Sequence, residues 1–255
     1  MLTGKGAWIW QLPPTEGGDP WAITSKAARA GLSHVTVKVA DGLKPLHDGD
    51  LLRRMVRALH SQGIQVWAWS YVRGKSLSNA AAEGALLGQR AAGMGADGAV
   101  LDAEGEYESA GAAGWAKATC QAVGSAFPGP LALSSFWKPS VHGGFPWHTF
   151  LALCDLYMPQ IYWHSDNPAD TWVGDPVKML RTCLGEWGPY AARYRQAQLF
   201  PTGALARYES NNDPALIAAF CAEVDCQGLA GANFWDWQEA TEKTWAALAG
   251  WKARG

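Results

Sequence analysis

Hydrophobic positions along the chain follow two periods that take turns. Over 34–40, Val35, Val37 and Val39 alternate with Thr36 and Lys38, the every-second-residue pattern of a β-branched strand. Leu51, Leu52, Met55, Val56 and Leu59 then recur at helical spacing, and Gly63 stops the run. The same switch repeats from end to end. Strands are expected at 7–11, 34–40, 65–71, 99–104, 131–136, 156–163, 198–202 and 229–237. Helices are expected at 20–30, 51–59, 79–93, 112–127, 147–153, 176–184, 214–224 and 244–252. Asp19-Pro20, Asp175-Pro176 and Asp213-Pro214 each place a capping carboxylate ahead of a proline at the first helical position. The helix over 79–93 is rich in Ala and Gly, which predicts close packing on the sheet.

Strict strand-then-helix alternation implies parallel strands joined by right-handed crossovers. Eight such units in 255 residues match a (β/α)8 barrel, which takes about 250. An open doubly wound sheet would call for a Gly-rich phosphate loop after the first strand, where Gln11-Leu12-Pro13-Pro14 stands instead. Nothing along 1–255 reads as a linker, so a single α/β TIM-barrel domain is expected.

Barrels place their chemistry at the C-terminal ends of the strands. The fourth strand runs Ala99-Val100-Leu101-Asp102-Ala103-Glu104; alternation puts Val100, Asp102 and Glu104 on one side and Leu101 and Ala103 on the other. Two carboxyls thereby converge at one strand mouth. The other strand ends contribute Gln11, Lys38 or Asp41, Tyr71 with Arg73, Ser134 or Ser135 with Trp137, Gln160, Tyr162, Trp163, Thr202, Trp235, Asp236 and Trp237. A valine face turned to the helices aims Lys38 into the barrel, where it needs a carboxylate. Asp102 or Glu104 could supply it; alternatively Lys38 sits in water at a strand edge. Such a rim of acids, amides, hydroxyls and aromatic rings suits a polyol ligand. Trp69 and Tyr71 on the third strand belong to the same set.

Composition narrows the partners. With 21 basic and 23 acidic residues the net charge is −2, and no basic stripe points to nucleic acid. The five cysteines (Cys120, Cys154, Cys183, Cys221, Cys226) are odd in number and form no C-x-x-C, so buried free thiols are expected. No histidine spacing suggests a metal, no Gly-x-Ser-x-Gly elbow supplies a serine nucleophile, and no cofactor is expected. No apolar run is long enough to cross a membrane, and the chain starts without a leader-like segment. A soluble, cytoplasmic or phage-associated protein is expected, with secretion after removal of a leader left open. The chain has fifteen tryptophans, whose indole faces suit core packing and also stacking on sugar rings.

Asp97-Gly98-Ala99-Val100-Leu101-Asp102-Ala103-Glu104 resembles the D-x-x-D-x-D-x-E signature of family 18 chitinases, with Val100 in place of the middle acid. Met158-Pro159-Gln160-Ile161-Tyr162 is similar to that family's strand-six segment ending in a catalytic-site tyrosine. Asp102-Ala103-Glu104 also resembles the D-x-E of family 25 lysozymes, although Ile9-Trp10-Gln11 lacks that family's early Asp. The resemblance implies a glycosidase barrel cleaving a GlcNAc-containing polysaccharide such as peptidoglycan or chitin. Glu104 would be the general acid, Asp102 would orient a substrate N-acetyl group and Tyr162 would help hold it. Lys38, Trp69, Tyr71, Trp137, Gln160, Trp163 and either Trp235 or Trp237 would bind the sugar. Val100 and the first strand leave a second possibility: a catalytically silent glycan-binding barrel used for attachment on a cell surface or a phage particle.

Overall fold

A computed structural model of the chain describes residues 2–163, 174–205 and 213–253. Part of the long step between the sixth and seventh strands falls outside the described residues. The barrel strands are β1 (Gly4–Ile9), β2 (His34–Asp41), β3 (Gln65–Val72), β4 (Gly98–Ala103), β5 (Leu131–Phe136), β6 (Leu156–Ile161), β7 and β8 (Gly231–Trp235). β7 is interrupted: Gln198–Leu199 and Thr202–Ala204 both pair with β6, and Phe200-Pro201 lies between them. Pro201 has no N–H for the ladder, but its carbonyl accepts from Asn233 of β8 at 2.8 Å. Every barrel pairing is parallel, and β1 pairs with both β2 and β8, so the sheet closes on itself.

Among the described residues eight α-helices cover the outside: α1 (Pro20–Ala30), α2 (Gly49–His60), α3 (Leu77–Met94), α4 (Ala112–Ala126), α5 (Trp147–Leu151), α6 (Pro176–Arg193), α7 (Pro214–Cys226) and α8 (Glu242–Gly250). The three Asp-Pro signals cap α1, α6 and α7, with each aspartate accepting from backbone N–H groups of the first turn. The fold is therefore the expected (β/α)8 barrel. Helix α6 runs past Leu184 to Arg193 with Pro189 inside it.

Two apolar regions follow from strand alternation. Val35, Val37, Val39, Leu101 and Ala103 belong to the large core between sheet and helices, whereas Trp8, Trp67, Trp69, Val100, Met158 and Phe200 fill the barrel interior. Closure at the floor demands a glycine. At Gly231 φ is +153°, and a Cβ would sit 1.8 Å from the Gly4 carbonyl oxygen, closer than any side chain allows.

Helix α3 packs on the sheet as expected, and its glycines also bring it close to α4. A Cβ on Gly84 would lie 2.2 Å from the Thr119 carbonyl oxygen, and one on Gly88 would lie 2.9 Å from that of Val123. Backbone cannot yield as a flexible side chain can. Gly84→Ala gains about 1 kcal/mol in helix propensity but forces α3 off α4. A net loss of about 1–3 kcal/mol is expected, a fall of roughly 2–12 °C in melting temperature by calorimetry.

Cys120, Cys154, Cys183 and Cys221 are free and buried, but Cys226, at the end of α7, is exposed, against expectation. Among the described residues no helix is long and apolar enough to cross a membrane.

Candidate functional site

Register assembles the mouth of the barrel. Tyr71 on β3 stands beside Asp102 on β4, Asp102 beside Ser134 on β5, and Gln160 on β6 beside Thr202 on β7. Glu104 follows β4 directly, on the inward side with Asp102. The Gln160 amide Nε2 donates to Asp102 Oδ1 at 2.9 Å, to Glu104 Oε1 at 3.0 Å and to Ser134 Oγ at 3.2 Å. Two amide hydrogens thus face three oxygens, and the two carboxyls are held on one point.

Asp102 is 6 % exposed. Burial raises its pKa well above the usual carboxylate range, and the Glu104 charge adds to that, outweighing the Lys38 ammonium and the Ser134 hydroxyl that favour the ion. Tyr71 O–H donates to Glu106 Oε2 at 2.7 Å. Burial, that hydrogen bond and the surrounding acids push the Tyr71 phenol far up, so it stays protonated. The Gly105–Glu108 turn of 3₁₀ helix brings Glu106 back toward Tyr71.

Lys38 does point inward and is almost fully buried, but its carboxylate is neither Asp102 nor Glu104. Its Nζ pairs with Asp41 Oδ2 at 2.7 Å and lies 4.7 Å from the centre of the Trp69 ring. Alternation alone would place residues three apart on opposite faces. A bulge resolves this. The β2–β3 register slips between Lys38 and Ala40, so Asp41 comes back to the face of Lys38. Arg73 Nη2 takes the other Asp41 oxygen at 2.6 Å. The two cations hold Asp41 below its usual range despite desolvation.

Aromatic rings converge on Trp235, the last residue of β8. Its ring centre lies 5.6 Å from Trp69, 6.0 Å from Trp8, 6.3 Å from Trp10 and 6.5 Å from Tyr162. Trp69 is fixed by donating Nε1–H to the Ile9 carbonyl at 3.0 Å. The peptide bond from Trp235 to Asp236 is cis. Beyond it, Asp236 is buried, which pushes its carboxyl up to about 7. It accepts from Gln238 Nε2, while Gln238 Oε1 accepts from the Trp10 N–H at 3.2 Å.

These groups enclose a cavity of about 450 Å³. Eight expected residues line it: Lys38, Trp69, Tyr71, Asp102, Glu104, Gln160, Tyr162 and Trp235. Three others lie elsewhere. Trp163, past the end of β6, turns outward onto Phe220 at 5.2 Å. Trp237, two residues beyond β8, is buried against Trp245 at 4.7 Å and donates to Glu16. Trp137 packs on the outer core, with the Lys138 ammonium 6.0 Å from its ring. Trp10 and Glu239 also line the cavity without having been singled out for sugar binding. Continued inward parity from Trp8 would have found Trp10; Glu239 comes from a loop and left no such signal. Asp97, the first acid of the family-like signature, faces away: it accepts from the Val66 N–H at 2.7 Å and pairs with His60 at 2.8 Å. Among the described residues no group of three or more His, Cys, Asp or Glu could hold a metal ion.

No protein-family model matches the sequence, and a search of curated proteins found no match. Solved structures do match in shape. A class V chitinase from Pseudomonas fluorescens Pf-5 aligns over 98 % of this chain and 100 % of its own, with a TM-score of 0.68 at 14 % identity. A class V chitinase from Nicotiana tobaccum aligns over 98 % and 99 %, with a TM-score of 0.67 at 10 % identity. The endoglucanase Cel5A from Pseudomonas stutzeri aligns over 97 % and 93 %, with a TM-score of 0.68 at 11 % identity. At such identities the likeness is one of fold: over nearly its whole length, this chain has the TIM-barrel fold that these glycoside hydrolases share.

Proposed function

We propose that the chain is a glycoside hydrolase that cleaves a GlcNAc-containing polysaccharide, peptidoglycan or chitin-like, with Glu104 as general acid. The observation that carries this reading is the meeting of Asp102 and Glu104 on the Gln160 amide, at the mouth of an indole-lined cavity of about 450 Å³. That volume lies within the range of about 300–1,000 Å³ common for small-molecule sites. Trp235 and Trp10 offer apolar faces to a sugar ring, and Gln160 and Tyr162 offer polar groups to its substituents.

Glycosidic cleavage needs a proton on the leaving oxygen and stabilisation of an oxocarbenium-like transition state. In the resting pair, burial and the neighbouring charge favour a proton on Asp102. Moved to Glu104, that proton serves the leaving group. It leaves Asp102 anionic, able to accept the N–H of a substrate N-acetyl group whose carbonyl oxygen attacks the anomeric carbon. Tyr162 helps hold that group, and Tyr71, kept protonated and donating to Glu106, offers its phenol oxygen as a fixed acceptor.

Incubation with chitin, peptidoglycan and soluble chito-oligosaccharides should release new reducing ends from at least one of them. Retention of a saccharide without new ends would instead support a silent glycan-binding barrel, serving attachment on a cell surface or a phage particle. Val100 favours that second reading: it places a fully buried aliphatic side chain directly below Asp102, where the chitinase signature carries an acid.

A further inference from the structure

A second cavity, of about 550 Å³, opens beside the first and shares Trp10 and Lys38 with it. Both of its walls are pinned. One is the segment after β1, where Gln11, Pro13 and Pro14 line the space. Gln238 Oε1 holds this segment through the Trp10 and Gln11 N–H groups at 3.2 and 3.5 Å. The other is a short hairpin in which Ala40 and Asp41 pair antiparallel with Pro45 and Lys44. Arg90 of α3 ties this hairpin down by donating to the Leu46 and His47 carbonyls. The space is therefore pre-formed rather than closed around a ligand.

Charge separates the two cavities. The first holds Asp102, Glu104 and Glu239, with Lys38 as its cation. In the second, Asp41 is already matched by Lys38 at 2.7 Å and Arg73 at 2.6 Å. Lys44 lines the same space, is exposed, and among the described residues has no ion-pair partner. The balance there is positive, beside the apolar surfaces of Leu46, Pro13 and Pro14. Trp10, 37 % exposed, lines both cavities and stands between them.

We propose that this second cavity is a subsite for a sugar bearing a carboxylate, held by Lys44 while the adjoining ring lies over Glu104. The proposal rests on the glycosidase reading and narrows its substrate to a glycan with an acidic residue next to the GlcNAc unit. A lactyl ether, as in muramic acid, and a uronic acid present the same group, so both are probed.

Calorimetry on the full chain carrying Glu104→Gln, which prevents turnover, compares chitotetraose, the tetrasaccharide of alternating GlcNAc and muramic acid, and a hyaluronan tetrasaccharide. At low salt one of the acidic probes should bind about fivefold more tightly than chitotetraose, the scale of one partly exposed charge pair. Raising the salt should shrink that preference. A second substitution, Lys44→Gln, should abolish the preference and leave chitotetraose affinity unchanged, while Lys44→Arg should keep it. Equal affinity for all three probes, or a preference that survives Lys44→Gln, overturns the subsite and leaves the hydrolase reading standing. Failure of all three to bind overturns both.

Discussion

Replacing Glu104 by glutamine is expected to lower kcat on a soluble chito-oligosaccharide by about 10²–10⁴-fold, the usual contribution of a positioned general acid. Saccharide affinity should stay within a factor of about two, because an exchange that removes only transition-state stabilisation leaves ground-state binding alone. The fold should also survive. Glutamine keeps the length of Glu104 and a side-chain oxygen to accept from Gln160 Nε2. Turnover on one side and isothermal titration on the other separate the two effects. Undiminished turnover removes Glu104 from the chemistry.

Asp102→Asn should separate activity from stability. Asparagine can still accept from Gln160, but it cannot become the anion that the N-acetyl group calls for, so a loss of turnover of about 10²-fold or more is expected. Stability should move the other way. The folded state raises the pKa of Asp102 above its ordinary value of 3.8, chiefly through burial. Between those two values the folded chain keeps a proton that the unfolded chain has given up. Stability therefore falls as pH rises through that window. The asparagine variant has no such proton. Its melting temperature should be close to that of the parent near pH 4 and should exceed it increasingly toward neutral pH and above. A parent that gains stability over that range relative to the variant would refute the assignment. Functional sites commonly trade stability for activity in this way.

Much of the architecture was legible because burial on one side of an element leaves a periodic trace. The valines of β2, the spacing of α2 and the proline-marked helix starts sufficed for a closed barrel. Within β4 the same alternation put Val100, Asp102 and Glu104 inward. Legibility ended where regular geometry ended. Trp237 lies past the last paired residue of β8, where the chain has turned, so counting by twos no longer says which way an indole faces. Trp163 follows β6 in the same way. Glu106, past the strand and a glycine, has no parity to read, and a turn of 3₁₀ helix brings it to Tyr71. The small residues of α3 signalled close packing on the sheet but not the second close approach, to α4. Asp41 was hidden by the slip in register that returns it to the face of Lys38.

That slip means that a single edge of backbone decides the electrical character of the entrance. In an unbroken ladder Lys38 would face the lumen without its acid, and Asp41 would look toward the helices. Displacing one residue by half a pleat neutralises the lumen cation and leaves Lys44, on the returning strand, as the exposed cation of the second cavity. Two barrels of identical composition, one regular and one offset here, would differ in whether the lumen lysine meets its acid, and no inventory of side chains would tell them apart.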